Sequence, residues 1–243
     1  MHCNAYNSYH FLRACNNHTP SSSCNVCQPW LIWLAFVTLS TPMLHYETIP
    51  VTAFQQNCSL VICPKTNRAA FVDPGGEVDR LFELLEKRGA TLEKVLVTHG
   101  HIDHCGALPR LVKDGYRGPI HCTNATEDML RMMLMDAAKI QAQDTLYLHR
   151  HGQEVEPLYD EQDVEQTLKL VRSVPYRHPF EVLPGVRCEF LDAGHILGSV
   201  GVTIECEGKR LMYTGDVNFE HSTLQKGALF PENPVDALIV ETT

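Results

Sequence analysis

The sequence predicts an α/β fold, with its helices and strands arranged in layers as in layered α+β domains. Two patterns and the composition support this class. Residues 59–97 alternate strand, helix and strand patterns, and residues 186–213 contain three more strand patterns. Of the 243 residues, 44% are hydrophobic, which is enough for a substantial core. A chain of this length accommodates one large domain or two small ones.

The predicted strands are short runs of β-branched and apolar residues bounded by turn-forming residues. In chain order they are Thr48–Phe54, Ser59–Cys63, Ala69–Val72, Lys94–Val97, Pro119–Cys122, Val186–Leu191, Val200–Cys206, Arg210–Tyr213 and Ala237–Val240. The sharp turn Asp73-Pro74-Gly75-Gly76 separates the third strand from the first helix.

Helices are predicted where apolar residues recur at a spacing of three or four. They cover residues 78–89, residues 107–113, residues 124 to about 141, and a stretch whose apolar face is Val164, Leu168 and Val171. Asn124-x-x-Glu127 matches a capping box for the third helix, whose methionines we assign to the core. Residues 144–157 are polar and are predicted to be irregular.

Residues 1–42 differ from the rest because they are rich in Asn, Ser, Cys and His and nearly free of charge. Their apolar run Trp30–Leu39 is shorter than the roughly 20 residues that a membrane-spanning helix needs. We interpret residues 1–42 as a non-native or poorly ordered extension, with Met43 as the natural start, and expect no membrane partner. A secretory or membrane-associating segment and, through Cys24-x-x-Cys27, a metal knuckle are the alternatives.

Charge and cysteine usage restrict the function classes. The formal net charge of −9 argues against nonspecific nucleic-acid binding over the whole surface, although it allows a local basic groove. Six of the ten cysteines are scattered through apolar segments: Cys58, Cys63, Cys105, Cys122, Cys188 and Cys206. Scattered apolar positions favour buried free thiols in a reducing compartment, so we predict a cytoplasmic protein.

The densest chemical motif follows the predicted strand Lys94–Val97. His99-Gly100-His101-Ile102-Asp103-His104 places three histidines and one aspartate within six positions. Ligands at alternate positions after a strand point towards one side, and imidazole and carboxylate groups together suit zinc. The alternative, a polar loop with helix-capping residues, leaves this concentration of histidine to chance.

Two later strands also end in potential ligands. Asp192-Ala193-Gly194-His195 follows one strand, and Tyr213-Thr214-Gly215-Asp216 follows another. A single His or Asp after a strand is usually a capping or turn residue. In this order behind the histidine cluster, they indicate one metal constellation.

The order of these motifs resembles the metallo-β-lactamase superfamily of two-metal hydrolases. The matching residues are Asp73, His99, His101, Asp103, His104, His195 and Asp216. The resemblance assigns His99, His101 and His195 to one zinc ion. It assigns Asp103 and His104 to a second ion and Asp216 to a bridging position, and Asp73 would be buried and hold the loop. It implies a four-layer αββα sandwich with the metals at one edge.

Such a site implies hydrolysis by a hydroxide that two divalent ions share, and Asp103 would orient this hydroxide.

The flanking motifs resemble two different branches of the superfamily. Ile49–Cys58, Val72–Gly76 and Val97–His101 resemble glyoxalase-II-type hydrolases of glutathione thioesters. Residues 102–243 resemble the β-CASP branch, which processes RNA or DNA, through these motifs: Asp103–Leu111, Gly118–Ile120, Asp136–Gln141, Asp192–Ser199, Tyr213–Asp216 and Val240–Thr243. We therefore hypothesise a hybrid joined near His99–His104.

In the β-CASP branch, a glutamate at the position of Glu241 supports leaving-group protonation. The resemblance also implies a final histidine, a β-CASP cap and closing strands beyond Thr243, so we expect residues 43–243 to form an incomplete sandwich. An unfinished sheet favours self-association. The leading functional prediction is a zinc-dependent RNA phosphodiester hydrolase. The alternatives are a glyoxalase-II-like thioesterase and an inactive metal-binding fragment.

Overall fold

The computed structural model describes residues 44–240. The predicted extension at residues 1–42, the proposed start at Met43 and the candidate catalytic residue Glu241 lie outside the described residues. Within residues 44–240, no helix is long and apolar enough to cross a membrane.

Strands and helices alternate along the first half of the described chain, and strands dominate the second half. In chain order the elements are β1 (His45–Val51), β2 (Gln56–Ile62), β3 (Arg68–Val72), α1 (Val78–Arg88), β4 (Thr91–Leu96), α2 (Ile102–Cys105), α3 (Leu108–Lys113), β5 (Ile120–Cys122), α4 (Asn124–Arg150), α5 (Glu161–Leu170), β6 (Val171–Ser173), β7 (Phe180–Leu183), β8 (Val186–Asp192), β9 (Val200–Cys206), β10 (Lys209–Tyr213) and β11 (Ala237–Ile239). The predicted α/β class is confirmed.

The strands form two sheets. The first has the order β1-β2-β3-β4-β5-β6, and the second has the order β11-β10-β9-β8-β7. In the first sheet, β1, β2 and β3 are antiparallel, whereas β3 to β6 run parallel. In the second sheet, β7 to β10 are antiparallel and β11 runs parallel to β10.

Two hydrophobic cores hold these layers together. Successive side chains along a strand point alternately into one core and into the other. Leu60 and Ile62 of β2 face a core that all five helices share, whereas Val61 faces a core between the sheets. Residues Ala69 and Ala70 of β3 divide in the same way, as a side-chain period of two requires. The described residues therefore form three layers, helices on sheet on sheet, and they do not supply the second helical layer of the expected αββα sandwich.

Several predicted boundaries were wrong. Helix α4 continues to Arg150, so the first part of the predicted irregular stretch is helical. Polar residues that face solvent weaken the apolar periodicity there, and the helix ends just before Gly152, which has a positive φ of 79°. The first strand ends at Val51 rather than Phe54, because Thr52 and Gln55 adopt positive φ angles in a turn. Val171 begins β6 instead of closing a helix face, and the short strands β6 and β7 were not predicted.

The start of α4 differs from the predicted capping box. Thr123 is the N-cap and accepts a hydrogen bond from the backbone N–H of Thr126, while Glu127 accepts one from Ser173 instead. The Thr123 hydroxyl also donates to the backbone carbonyl of Gly198, at 2.8 Å. The cap thus fastens α4 to the loop between β8 and β9.

Replacing this cap should cost stability. Thr123→Ala removes the capping acceptor and the hydrogen bond to Gly198, so we expect a loss of about 1–2 kcal/mol in the free energy of unfolding. Urea denaturation followed by circular dichroism measures this loss. Asn124→Ala, at the position predicted from the sequence, serves as the control, and an equal loss in that variant would contradict the assignment of Thr123 as the cap.

The cysteine prediction is confirmed for the described residues. Cys58, Cys63, Cys105, Cys122, Cys188 and Cys206 are all free and buried.

Candidate metal centre

Strand direction brings the predicted ligands to one edge of the sandwich. β3 and β4 are parallel, so Asp73 and His99 both follow strands that end at the same edge. β8 and β10 each pair antiparallel with β9, so they also end together, just before His195 and Asp216. A hydrogen bond of 2.9 Å from the Val200 backbone N–H to the Thr98 carbonyl joins the two sheets at this edge.

Three histidines and one aspartate converge there. His99, His101, His195 and Asp216 each offer one ligand atom, and these four atoms lie within 4.8 Å of one another. His101 Nδ1 is 3.0 Å from His99 Nε2 and 3.2 Å from His195 Nε2. Asp216 Oδ2 is 3.7 Å from His99 Nε2 and 3.4 Å from His195 Nε2.

The spacing of these atoms fits zinc. A tetrahedral zinc ion with bonds of about 2.0–2.2 Å holds neighbouring ligand atoms about 3.3–3.6 Å apart. Of the four separations, 3.4 Å lies within that range, 3.0 and 3.2 Å lie just below it, and 3.7 Å lies just above it. The donor set of three imidazoles and one carboxylate is also one that zinc prefers.

Asp216 faces a second group of side chains with its other oxygen. Asp216 Oδ1 is 3.3 Å from His104 Nε2, and Asp103 Oδ2 is 3.6 Å from the same nitrogen. One carboxylate thus lies between two donor sets, which gives the site two lobes. The structure brings all the predicted metal ligands together at this point.

Buried hydrogen bonds orient the imidazoles from behind. Asp73 is fully buried and accepts two hydrogen bonds from Thr98, from its backbone N–H and from its hydroxyl, each at 2.7 Å. Because that hydroxyl donates to Asp73, its oxygen is left to accept from Nδ1 of His99, 3.1 Å away. His104 donates from Nδ1 to Asp73 over 3.1 Å. With Nδ1 of each ring held by these contacts, Nε2 of His99 and Nε2 of His104 are the atoms left to face Asp216 and to bind a cation once His104 has lost its second proton.

The sequence profile described as "Metallo-beta-lactamase superfamily" matches residues 51–239. The chain belongs to the metallo-β-lactamase superfamily. This match confirms the predicted family, and the site described above occupies the edge of the sandwich where the resemblance places the metals.

The chain is similar in sequence to three proteins of known name. The chain is 33% identical over 178 residues to "Transcription termination factor FttA" of Cenarchaeum symbiosum, covering 71% of this chain and 26% of that protein. It is 36% identical over 141 residues to "Ribonuclease TTHA0252" of Thermus thermophilus, covering 58% of this chain and 30% of that protein. It is 30% identical over 163 residues to "Cleavage and polyadenylation specificity factor subunit 3" of Dictyostelium discoideum, covering 67% of this chain and 20% of that protein.

These relatives confirm the resemblance to the metallo-β-lactamase part of the β-CASP branch. The chain spans only 20–30% of the length of the three relatives. Because a single superfamily profile runs through residues 51–239 and both branches belong to that superfamily, the hybrid origin stays a prediction.

Electrostatics at this metallo-β-lactamase site favour a cation. Burial and the positive charge of His104 lower the pKa of His99 to about 2, so its lone pair is free at neutral pH. Burial acts to lower the pKa of His104, but hydrogen bonds with Asp216 and Asp73 outweigh it and raise that pKa to about 10. Burial likewise fails to raise the pKa of Asp216, which the hydrogen bond from His104 holds at about 2. A proton on His104 therefore offsets part of the negative charge of the Asp216 carboxylate. A cation bound in the second lobe would displace that proton.

Sequence reasoning missed three supporting residues. Thr98 connects Asp73 to His99, as described above. Gln56 is buried at the start of β2, with Nε2 3.4 Å from Nδ1 of His104. The Ser199 hydroxyl accepts from the backbone N–H of His195 over 3.2 Å and so holds that loop. In the sequence, each of these residues is visible only as a polar residue next to an apolar strand. Ordinary capping residues give the same pattern, so it does not single them out.

Four other histidines of the described residues lie outside this group of ligand atoms. His149, His151 and His178 are exposed. His221 Nδ1 accepts a hydrogen bond from the backbone N–H of Gly227 over 3.1 Å. One ring nitrogen of His221 is therefore occupied by a hydrogen bond within its own loop.

The Thr98 hydroxyl offers a test of the hydrogen bonds behind the ligands. Thr98→Val keeps the shape of the side chain but leaves the buried Nδ1–H of His99 without an acceptor, so we expect zinc affinity to fall about 10- to 100-fold. Competition titration with a chromogenic chelator measures this affinity. Thr167→Val is the matched control, because its buried hydroxyl bonds to the Asp163 carbonyl in α5, remote from the site. Equal zinc affinity in wild type and Thr98→Val would contradict the proposal that the Thr98 hydroxyl connects Asp73 to His99 and orients that ligand.

Proposed function

We propose that residues 44–240 are the metallo-β-lactamase part of a zinc-dependent hydrolase that cleaves phosphodiester bonds in RNA. The observation that carries this proposal is the position of Asp216 between two donor sets. One oxygen faces His99 and His195, and the other faces His104. A carboxylate shared in this way suits two divalent cations side by side, an arrangement common among phosphodiester hydrolases.

The histidines and aspartates would divide between the two lobes. His99, His101 and His195 would hold one zinc ion, Asp103 and His104 the other, and Asp216 both. When bound, such a pair supplies an activated water molecule and stabilises the charge that develops on the reacting oxygens. Asp73 would act through its contacts, by fixing His104 and, through Thr98, His99.

Asp103 is placed to contact substrate as well as metal. Its side chain is 27% exposed, whereas those of His104 and Asp73 are 2% and 0% exposed. A partly exposed carboxylate in this position can accept a hydrogen bond from the attacking water molecule and hold it in line. We assign Asp103 this orienting role, and Glu241 the role of supporting protonation of the leaving group.

The relatives' names support RNA as the substrate. Two of them are named as a ribonuclease and as a cleavage and polyadenylation factor. The net charge of −9 means that RNA would be held at a restricted basic surface rather than over the whole chain. The glyoxalase-II-like thioesterase stays a prediction that rests on residues 43–104 alone.

The direct test compares two substrates. The full chain is reconstituted with zinc and incubated with a short end-labelled RNA or with a glutathione thioester, each with and without chelator. We expect RNA cleavage that the chelator abolishes. Thioester hydrolysis without RNA cleavage would replace the proposed substrate, and one zinc ion or none per chain together with neither activity would support the inactive metal-binding fragment.

Three further predictions accompany this function. The buried free thiols support a reducing, cytoplasmic location. Self-association would use the edge strand β11, where Leu238 is 50% exposed. The hybrid origin, whether a natural fusion, a misassembled gene or a deliberate chimera, predicts a joint between codons 90 and 115, and continuous sequencing reads across it from a natural source would contradict misassembly.

A further inference from the structure

Two cysteines lie at the end of the sandwich opposite the metal centre. Strands β2 and β9 both have their first residues near that centre, since Gln56 contacts His104 and Val200 bonds to Thr98. Cys63 directly follows β2, and Cys206 is the last residue of β9. Seven residues of strand span about 20 Å, so both thiols are well separated from the histidine cluster.

Cys63 occupies a turn that favours its thiolate. The hydroxyl of Thr66 and the backbone N–H groups of Lys65 and Thr66 are directed at its sulfur, and the Lys65 ammonium adds a positive charge. Burial acts to raise the pKa of Cys63, but these donors outweigh it and lower that pKa below the ordinary value. The thiol also contacts the Pro184 carbonyl in the turn between β7 and β8, with Sγ 3.4 Å from that oxygen.

Cys206 approaches the same place from the second sheet. Cys63 and Cys206 belong to one buried cluster between the sheets. Cys206 pairs with Val186, two residues beyond the Pro184 that Cys63 contacts. Lys65, close to Cys63 in the sequence, forms an ion pair with Glu207, the residue after Cys206. Lys65 is close enough for its charge to interact with both thiols.

The remaining described thiols differ from Cys63. Burial raises the pKa of Cys58, Cys105, Cys122 and Cys188. Cys63 is buried to the same extent, at 2% exposed, and differs from them through the hydrogen-bond donors and the Lys65 charge around its sulfur. Burial, Glu207 and Cys63 itself raise the pKa of Cys206. Among residues 44–240, Cys63 is thus the one cysteine whose surroundings favour the thiolate form, and Cys206 lies in the same cluster beside the Lys65–Glu207 ion pair.

We propose that Cys63 and Cys206 form a redox-active pair that closes into a disulfide linking the two sheets, with a small-molecule disulfide as the oxidant. The Cys63 thiolate attacks one sulfur of the oxidant, whose S–S bond breaks and releases one thiolate. Cys206 loses its proton to solvent and attacks the Cys63 sulfur of the mixed disulfide, which releases the second thiolate. The protein loses two electrons and two protons, and the oxidant becomes two thiols. In a reducing compartment such a bond is transient and reports oxidising conditions.

The pair is tested by mapping disulfides in the full zinc-loaded chain. The protein is equilibrated with oxidised and reduced glutathione at several ratios, quenched with acid, alkylated and digested for mass spectrometry. We expect a cross-linked peptide containing Cys63 and Cys206 that disappears on reduction. We also expect iodoacetamide to label Cys63 on the order of tenfold faster than Cys188 in the reduced protein. Wild-type protein in which Cys63 stays a free thiol or a stable mixed disulfide would overturn the proposal.

Single variants distinguish attacking from resolving thiol. Cys206→Ser should trap glutathione on Cys63, whereas Cys63→Ser should leave Cys206 unmodified, and Cys188→Ser should cross-link like wild type. Thermal unfolding confirms that each variant folds. If Cys63→Ser does not fold, the wild-type map and the Cys206→Ser variant still decide the outcome, and glutathione bound first to Cys206 would contradict the assigned order.

Discussion

Asp216→Asn should abolish hydrolysis, with a loss of at least about 10³-fold in kcat/KM. The amide keeps the size of the side chain but removes the negative charge and one of the two acceptor oxygens. Those oxygens face different donor sets, one towards His99 and His195 and the other towards His104. A single substitution therefore weakens both lobes, and bound zinc should decrease together with activity.

Metal content and RNA cleavage are measured on the same preparations of this variant. Asp79→Asn is the matched control, because that carboxylate is 85% exposed on α1, outside the site. The control should retain both zinc and activity. Full zinc content and unchanged turnover in Asp216→Asn would show that the shared carboxylate is not part of the site.

Gly75→Ala should produce the largest structural disturbance of any single methyl group added near the site. A Cβ at Gly75 would lie 1.5 Å from the backbone oxygen of Asp103 and 2.4 Å from its carbonyl carbon. Because backbone atoms form this contact, the short helix α2, which carries Asp103 and His104, must move. We expect a loss of about 3 kcal/mol in the free energy of unfolding, and weaker binding in the second lobe.

Chemical denaturation and zinc titration together test this prediction. Gly185→Ala is the control, since a Cβ there meets nothing within 4 Å although its φ is +75°. That variant should lose only about 1 kcal/mol, from backbone strain, and keep normal zinc affinity. Equal losses in the two variants would contradict a steric role for Gly75.

The candidate site was largely predictable because its ligands follow strands. His99, His101, His195 and Asp216 each come shortly after an apolar strand, and strands that run in the same direction end at one edge. The resemblance to the superfamily added the bridging position of Asp216 and the buried position of Asp73. The opposed orientation of the two Asp216 oxygens required coordinates.

The sequence predicted less where tertiary contacts decide the local structure. The end of α4 was missed because its last turns face solvent, so that no apolar stripe marks them. Strands β6 and β7 are only three and four residues long, and their pairing partners define them. The role of Thr98 depends on which neighbours its hydroxyl meets, and one-dimensional spacing carries no information about that contact.

Zinc stoichiometry tests the two-lobed centre most directly. The full chain is stripped with chelator, reconstituted with excess zinc, passed through a desalting column and measured by inductively coupled plasma mass spectrometry against the folded protein concentration. The geometry around Asp216 predicts two zinc ions per wild-type chain and fewer in Asp216→Asn. One ion or none in the wild-type chain, or two ions that persist without the Asp216 carboxylate, would contradict the two-lobed centre.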